Sequence, residues 1–366
     1  MIPPEATTLR RGLLLALLLG GGTLGAQDAH PVFSVGTATA TRGATAMGAI
    51  VVPATVDSGL HIPVAVIHGV RPGPIVAFVA GSHGTEYASI VAMQRLIPRI
   101  DARTLSGTVI IAPLLNIASI EAMTPHVNPV DRKGMNGQYP GDSTGTQSPR
   151  ALALVTREIV ARADVIIDLH GGDLDEDLRP YSYWMRSGRP AQDSASRAMV
   201  MAFGLDHVIV QDVNPSAPAA GRSLSGQSLM RGKTVVVAEA GRSGTVERGD
   251  VSVLVEGSLN VLGALHMIER SVHPPKKIVW LSGNDGKRVT ADSGGMFFAT
   301  VHRDTRVKAG AMLGYTTDYL GRKTRDIRAP IDGLVTFIRG VPSMWPNATL
   351  VNVAPVLQTP PAWVAR

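Results

Sequence analysis

The sequence predicts an α/β fold: a mixed, largely parallel sheet covered by helices, followed by a small all-β C-terminal domain. Three observations predict it. From Ile50 onward, apolar runs bounded by Gly and Pro alternate with segments of helical period. Short continuous apolar runs such as "DVIIDL" and "TVVVA" require burial on both faces, the signature of a parallel sheet between helical layers. After "ERSVHPPKK" the helical period stops, and short runs punctuated by "SGNDG", "KAG" and "IDG" continue to the end. A chain of 366 residues with 45% hydrophobic and 17% charged residues has the composition for such a core.

In order, residues 1–26 read as an export signal. Arg10 and Arg11 supply the positive region, Gly12 to Leu19 the apolar region and Ala26 a cleavage edge. The apolar run is well short of the roughly 20 residues a spanning helix needs, so the mature protein is expected free of the membrane. A catalytic domain is expected over residues 27–270. "IVVPATV", "HIPVAVIHG" and "PIVAFVAG" are its first strands, and "TEYASIVAMQRLIPRI" places Ile90, Met93, Leu96 and Ile97 on one face of a helix. "GTVIIAPLLN" follows as a strand, and Pro113 to Pro149 as a long loop rich in Gly, Pro, Asn and Asp, a kind that is commonly functional. "SPRALALVTREIVARA" predicts a helix with Ser148 as N-cap and Pro149 at its first position. "DVIIDLH" and "KTVVVAEAG" are buried strands, "YSYWMRS" an edge strand, and "SLNVLGALHMIER" a closing helix. Residues 271–366 form the β-domain.

Composition excludes several classes. The net charge of +6 comes from 35 basic and 29 acidic residues with no block of either sign, and aromatics are 4%. A nucleic-acid groove needs clustered cations and stacking faces, so nucleic acid is not expected as a partner. The absence of cysteine rules out disulfides and leaves stability to the core.

The chemistry gathers at strand ends, where α/β sheets bind ligands. "GSHGTE" sets His83 and Glu86 three residues apart in a Gly-flanked turn, able to meet one ion from the first turn of a helix. "DVIIDLHGGD" supplies His170 at the end of another buried strand. These make the two-histidine, one-glutamate set of catalytic zinc, with a fourth position for water. Asp168 shares the face of His170, either to orient that ligand or to bond a local amide. Glu239 ends a third apolar strand, where an unpaired carboxylate is costly unless it has a task, and is the candidate general base. Singly, each residue also has a structural reading, His170 as a core histidine and Glu239 as a strand-end ion pair; together they point to a metal site.

"GSHGTE", "DLHGGD" and "VVVAEAG", in this order over roughly Gly59 to Arg270, resemble the succinylglutamate desuccinylase and aspartoacylase family, relatives of the zinc carboxypeptidases. The resemblance implies a carboxypeptidase-like fold, a single zinc ion held by His83, Glu86 and His170, and Glu239 as general base. The C-terminal stretch resembles the small biotinyl- or lipoyl-like β-domain of that family, without a carrier lysine. One departure stands out: where the family has an Asn-Arg pair in "DLNR-x-FPG" that holds substrate, this chain reads "PVDRKGMNGQYPG", keeping Asn136 and replacing the arginine by Gly137. Arg132, in the same loop, is the preferred substitute, with Lys133, Arg150, Arg186 and Arg242 as further candidates. The expected activity is metal-assisted deacylation of an N-acyl amino acid or similar small molecule by an exported enzyme. Alternatives are a periplasmic carboxypeptidase or amidase acting on peptides or wall fragments, and a binding protein on the same scaffold.

Overall fold

The computed structural model describes residues 30–359. The expected signal at 1–26 lies outside them. Among the described residues no helix is long and apolar enough to cross a membrane.

The centre is a nine-stranded sheet. Its spatial order is Val279–Ser282, His207–Asp212, Tyr181–Arg186, Thr234–Glu239, Val165–His170, Arg71–Ala80, Ser106–Ala112, Leu60–His68 and Ala44–Val52. The four strands from Thr234–Glu239 to Ser106–Ala112 are mutually parallel, so their carboxyl ends open on the same edge of the sheet. Val165–His170 is buried along its whole length, as its unbroken apolar run requires. The two strands that begin the sheet pair antiparallel, which the hairpin between them permits.

Helices cover both faces. Tyr87–Leu96, Pro190–Phe203 and Arg248–Ala264 pack Met93, Leu96, Val200, Phe203 and Leu254 into one core with Phe78, Ile111 and Ile167. Gln147–Val155 and Leu224–Met230 join Val66, Val79, Ile110 and Ile166 in a second core on the other face. At about 25 cal/mol per Å² of apolar surface removed from water, these two layers are the main stabilising term.

Three local expectations are corrected. The helix predicted with Ser148 as N-cap and Pro149 at its first position begins two residues earlier, at Gln147 with Thr146 as N-cap. Its first amides are satisfied from a distance: Asp57 Oδ2 accepts from Gln147 N at 2.9 Å, and Asp131 Oδ2 accepts from Ser148 N at 2.8 Å. Tyr181–Arg186 is an interior strand, antiparallel to Thr234–Glu239 and parallel to His207–Asp212, so "YSYWMRS" is no edge. Its Trp184 is buried under a neighbouring helix and donates Nε1 to the Asp193 carbonyl at 3.0 Å. The closing helix starts well before "SLNVLGALHMIER", at Arg248.

Beyond Ala264 every described regular element is a strand. Two small antiparallel sheets form there, ordered Lys287–Thr290, Thr349–Ala354, Gly333–Arg339, Arg306–Val307 and Lys323–Arg328, Met312–Thr317, Gly295–Ala299, Ser343–Met344. They share a core of Phe297, Leu313, Ile327, Val335 and Leu350. Each unit lends the other a strand. Val279–Ser282 is an edge of the large sheet, while Glu176–Leu178 pairs with Gly333–Arg339 of the β unit.

Candidate metal centre and active site

Three parallel strands deliver the site. Arg71–Ala80 ends in Gly81, whose φ of +65° a side chain rarely adopts and whose Cβ would stand 2.8 Å from Leu114 Cα. The chain turns there, Glu86 N donates to the His83 carbonyl at 3.3 Å, and the helix starts at Tyr87. Glu86 is the N-cap residue but its carboxylate caps nothing. It faces two imidazoles instead: Oε1 lies 2.7 Å from His83 Nδ1, and Oε2 lies 3.0 Å from His170 Nδ1 and accepts from Gly171 N at 3.2 Å. Next to it, Gly172 lets the turn after Glu239 pass close by, since a Cβ on it would sit 2.6 Å from Arg242 Cα.

The sequence-predicted ligands therefore meet. His83, Glu86 and His170 each offer a donor atom within 4.8 Å of the others. Ligands of one tetrahedral zinc ion stand about 3.4 Å apart, so this set needs only a small adjustment to hold such an ion. Burial alone would raise the Glu86 pKa, but the His83 and His170 imidazoles hold it down to about 2, a carboxylate ready to ligate. The other side of the His170 ring faces Asp168, with Nε2 3.1 Å from Oδ1. Asp168 is thus placed beside the ligand ring, near enough to orient it, although its Oδ1 makes no well-aligned hydrogen bond there.

Glu239 lies directly across from His170 in the parallel register and from Tyr181 in the antiparallel one. It is half-buried, and its Oε2 is enclosed without a hydrogen-bond partner. Such an orphaned oxygen costs free energy unless a ligand or water completes it, and it fits a polar group held at the same centre. Burial pushes its pKa well above the usual carboxylate range; Glu86, Glu176 and Asp168 add to this and His170 opposes it. The Tyr181 and Tyr183 rings stand edge to face at 5.3 Å beside it, and burial holds both phenols neutral, Tyr183 up to about 12.

The loop side is different. Arg132 is exposed with φ +55°, and its side chain has no hydrogen bond or ion pair among the described residues; Asn136 is exposed as well. Among the described residues, neither side chain has a hydrogen bond or ion pair to the three ligand candidates. Lys133 binds the Thr146 hydroxyl, Arg186 pairs with Asp212 and Arg242 with Glu247. Arg150 is buried against Asp57 at 2.7 Å and is structural. Tyr139 is buried in the second core, so it packs the loop. Gly137 is bonded twice to a residue the sequence did not single out: its amide donates to the Arg222 carbonyl at 2.6 Å, and Arg222 Nε donates to its carbonyl at 2.7 Å.

A second acidic group adjoins the first. His126, Asp175 and Glu176 also bring donor atoms within 4.8 Å, and the His126 ring meets His83 edge to face at 6.0 Å. Burial pushes Glu176 up to about 7, helped by Glu86 and opposed by His126. The density of carboxylates in "DLHGGDLDED" was the only sequence signal for it.

The succinylglutamate desuccinylase/aspartoacylase catalytic domain model matches residues 72–265. N-alpha-acetyl-L-2,4-diaminobutyric acid deacetylase of Halomonas elongata is 26% identical over 319 residues, 86% of this chain and 89% of that protein. Among solved structures, the product-bound ectoine utilization protein EutE (DoeB) from Ruegeria pomeroyi has a TM-score of 0.78 at 21% identity, covering 89% of this chain and 99% of that one. A succinylglutamate desuccinylase/aspartoacylase from Rhodobacter sphaeroides gives a TM-score of 0.76 at 23% identity, with 86% and 96% covered. With the matched domain spanning more than half of the chain and containing all three ligand candidates and Glu239, the protein belongs to the succinylglutamate desuccinylase/aspartoacylase family of deacylases.

Proposed function

We propose that this protein is an exported, zinc-dependent amidohydrolase that removes the acyl group from an N-acylated amino acid or a similar small amine. One observation carries the reading: His83, Glu86 and His170 converge at the carboxyl ends of two adjacent parallel strands, and the orphaned carboxylate of Glu239 closes the third. The deacetylase activity named for the Halomonas elongata relative supports the choice of a small N-acyl substrate. The leader-like residues 1–26 support export.

His83, Glu86 and His170 would hold the ion and leave one face of it open, and Asp168 would keep the His170 ring in the ligating tautomer. Zinc, when bound, supplies Lewis acidity that polarises the scissile carbonyl and lowers the pKa of water toward about 7. Glu239 takes a proton from the attacking water as the new C–O bond forms. It then gives that proton to the amine nitrogen as the C–N bond breaks, leaving a carboxylic acid and a neutral amine; the acid passes its remaining proton to the amine or to solvent, so the released products are a carboxylate and an ammonium ion or solvated proton, and the count closes.

The test is amine release from a panel of N-acyl amino acids, N-acyl diamines and short peptides by the zinc-loaded mature protein. The proposal expects turnover on the small acylated substrates. Cleavage confined to peptides would replace it with the carboxypeptidase reading, and silence on the whole panel with a binding role.

A further inference from the structure

Five residues join the C-terminal β unit to the wall of the metal centre. Asp173, fully buried, accepts from the Thr85 hydroxyl between the ligands His83 and Glu86, and from the His126 amide at 3.0 Å. His126 has a φ of +63°, a backbone conformation that a side chain tolerates only when its surroundings hold it there. Its ring is held as well: Nε2 lies 3.0 Å from Asp175 Oδ1, and Nδ1 3.2 Å from Asp173 Oδ2. Asp175 Oδ2 in turn meets Arg339 Nη1 at 2.8 Å.

Arg339 belongs to the other unit. It ends the strand Gly333–Arg339, lies opposite Glu176 in the pairing between units, and is 5% exposed. Its guanidinium is oriented from its own side, stacked over the Trp345 ring at 4.4 Å and donating to the Ser343 and Thr349 carbonyls. An arginine fixed in this way presents one defined N–H to Asp175, where a lysine ammonium would have no such fork.

The cluster of His126, Asp175 and Glu176 is not arranged as a second metal site. Both His126 nitrogens face carboxylates, and a guanidinium already neutralises Asp175, so a divalent cation would have to enter beside a fixed positive charge and displace an imidazole. The geometry is that of a strut. We propose that Arg339 is a positioning residue: through Asp175 and His126, the C-terminal β unit holds the loop at residues 124–133 against the metal-ligand turn His83–Glu86.

Its effect on turnover rests on the deacylase reading; its effect on the loop does not. The experiment uses the full mature chain, zinc-loaded, as parent, Arg339→Met, Asp175→Asn and the double variant. Trypsin cleavage after the exposed Arg132 and after Lys133 is followed by mass spectrometry, with kcat, KM and Tm measured alongside. Each single substitution is expected to speed cleavage at those two sites about tenfold or more and to lower kcat/KM by a similar factor, mainly through KM. The double variant is expected to match the worse single variant within about twofold, because the residues act in series. Parental cleavage and kinetics, fully additive effects, or cleavage spread over the whole chain with a proportional fall in Tm would each overturn the proposal. A parent without turnover on any N-acyl substrate would refute the deacylase reading, while the proteolysis alone would still decide this one.

Discussion

The strand-end side of the site and the loop side are built by different means. His83, Glu86, His170 and Glu239 are placed by three neighbouring parallel strands whose register puts Glu239 opposite His170 and whose buried cores leave little freedom. Residues 113–146 have almost no regular structure beyond the short helix Ile117–Ala122, and are placed by a few core side chains such as Met135 and Tyr139 and by small sets of polar contacts with other segments: Asp131 with Ser148, His126 with Asp173 and Asp175, Gly137 with Arg222. Rigidity in the first region comes from the sheet, whereas in the second it comes from a small number of long-range contacts. On the proposed function, catalytic chemistry would depend on the strand ends, and the loop is the part of the wall open to a role in selectivity.

That contrast can be sharpened by experiment. Asp168→Asn keeps the shape but removes the charge that faces His170 Nε2. Zinc affinity, measured by competition with a chelator, is expected to fall by about 10- to 100-fold, with kcat at saturating zinc affected less. If affinity is unchanged, the strand-end ligands do not need that support.

On the loop side, Arg222→Ala removes the side-chain bond to the Gly137 carbonyl. It is expected to raise KM for a small acylated substrate by about tenfold, in keeping with the loss of about one charge-assisted hydrogen bond, and to spare zinc binding. Arg132→Ala, at an exposed and unpaired position, is expected to change KM by no more than about twofold. Reversal of that order would return the substrate contact to Arg132.

A smaller effect concerns pH. Burial works against a charged His126, but its hydrogen bond to Asp175 and the charges of Glu176, Asp173 and Asp175 raise its pKa to about 9 from the ordinary 6.5. Since the folded value is the higher, the contribution to stability is complete below about 6.5 and is lost as pH rises through about 9. His126 is partly exposed, so screening reduces the contribution to about 1 kcal/mol. Urea unfolding of the parent and of His126→Asn across that window should show the slope in the parent alone; identical slopes would remove His126 from the strut.

The same contrast explains what could be read from the sequence. "GSHGTE", "DLHGGD" and "VVVAEAG" are legible because an apolar run followed by small residues marks a strand end, and strand ends in one parallel sheet face the same side. The covering helices and the all-β C-terminal unit were legible from period and punctuation. Tyr181–Arg186 was misread as an edge because its polar and aromatic composition does not reveal antiparallel insertion between two other strands. Asp173 and Asp175 could not be paired with His126, because the partners lie 47 and 49 residues apart and the contact depends on a left-handed loop backbone. Arg339 and Arg222 carry no local signal at all, since their roles depend on which strand or loop crosses them. Short-range pattern locates the metal centre; long-range pairing builds its wall.

The most direct test is Glu239→Gln, assayed for bound zinc and for amine release beside the parent. Amide replaces carboxylate at nearly constant shape, so the site can still hold its ion but has no proton acceptor. The account predicts close to one zinc ion per chain in both proteins and a fall in kcat of about 10²- to 10⁴-fold in the variant. Parental turnover in the variant, or a parent that binds no zinc, would contradict it.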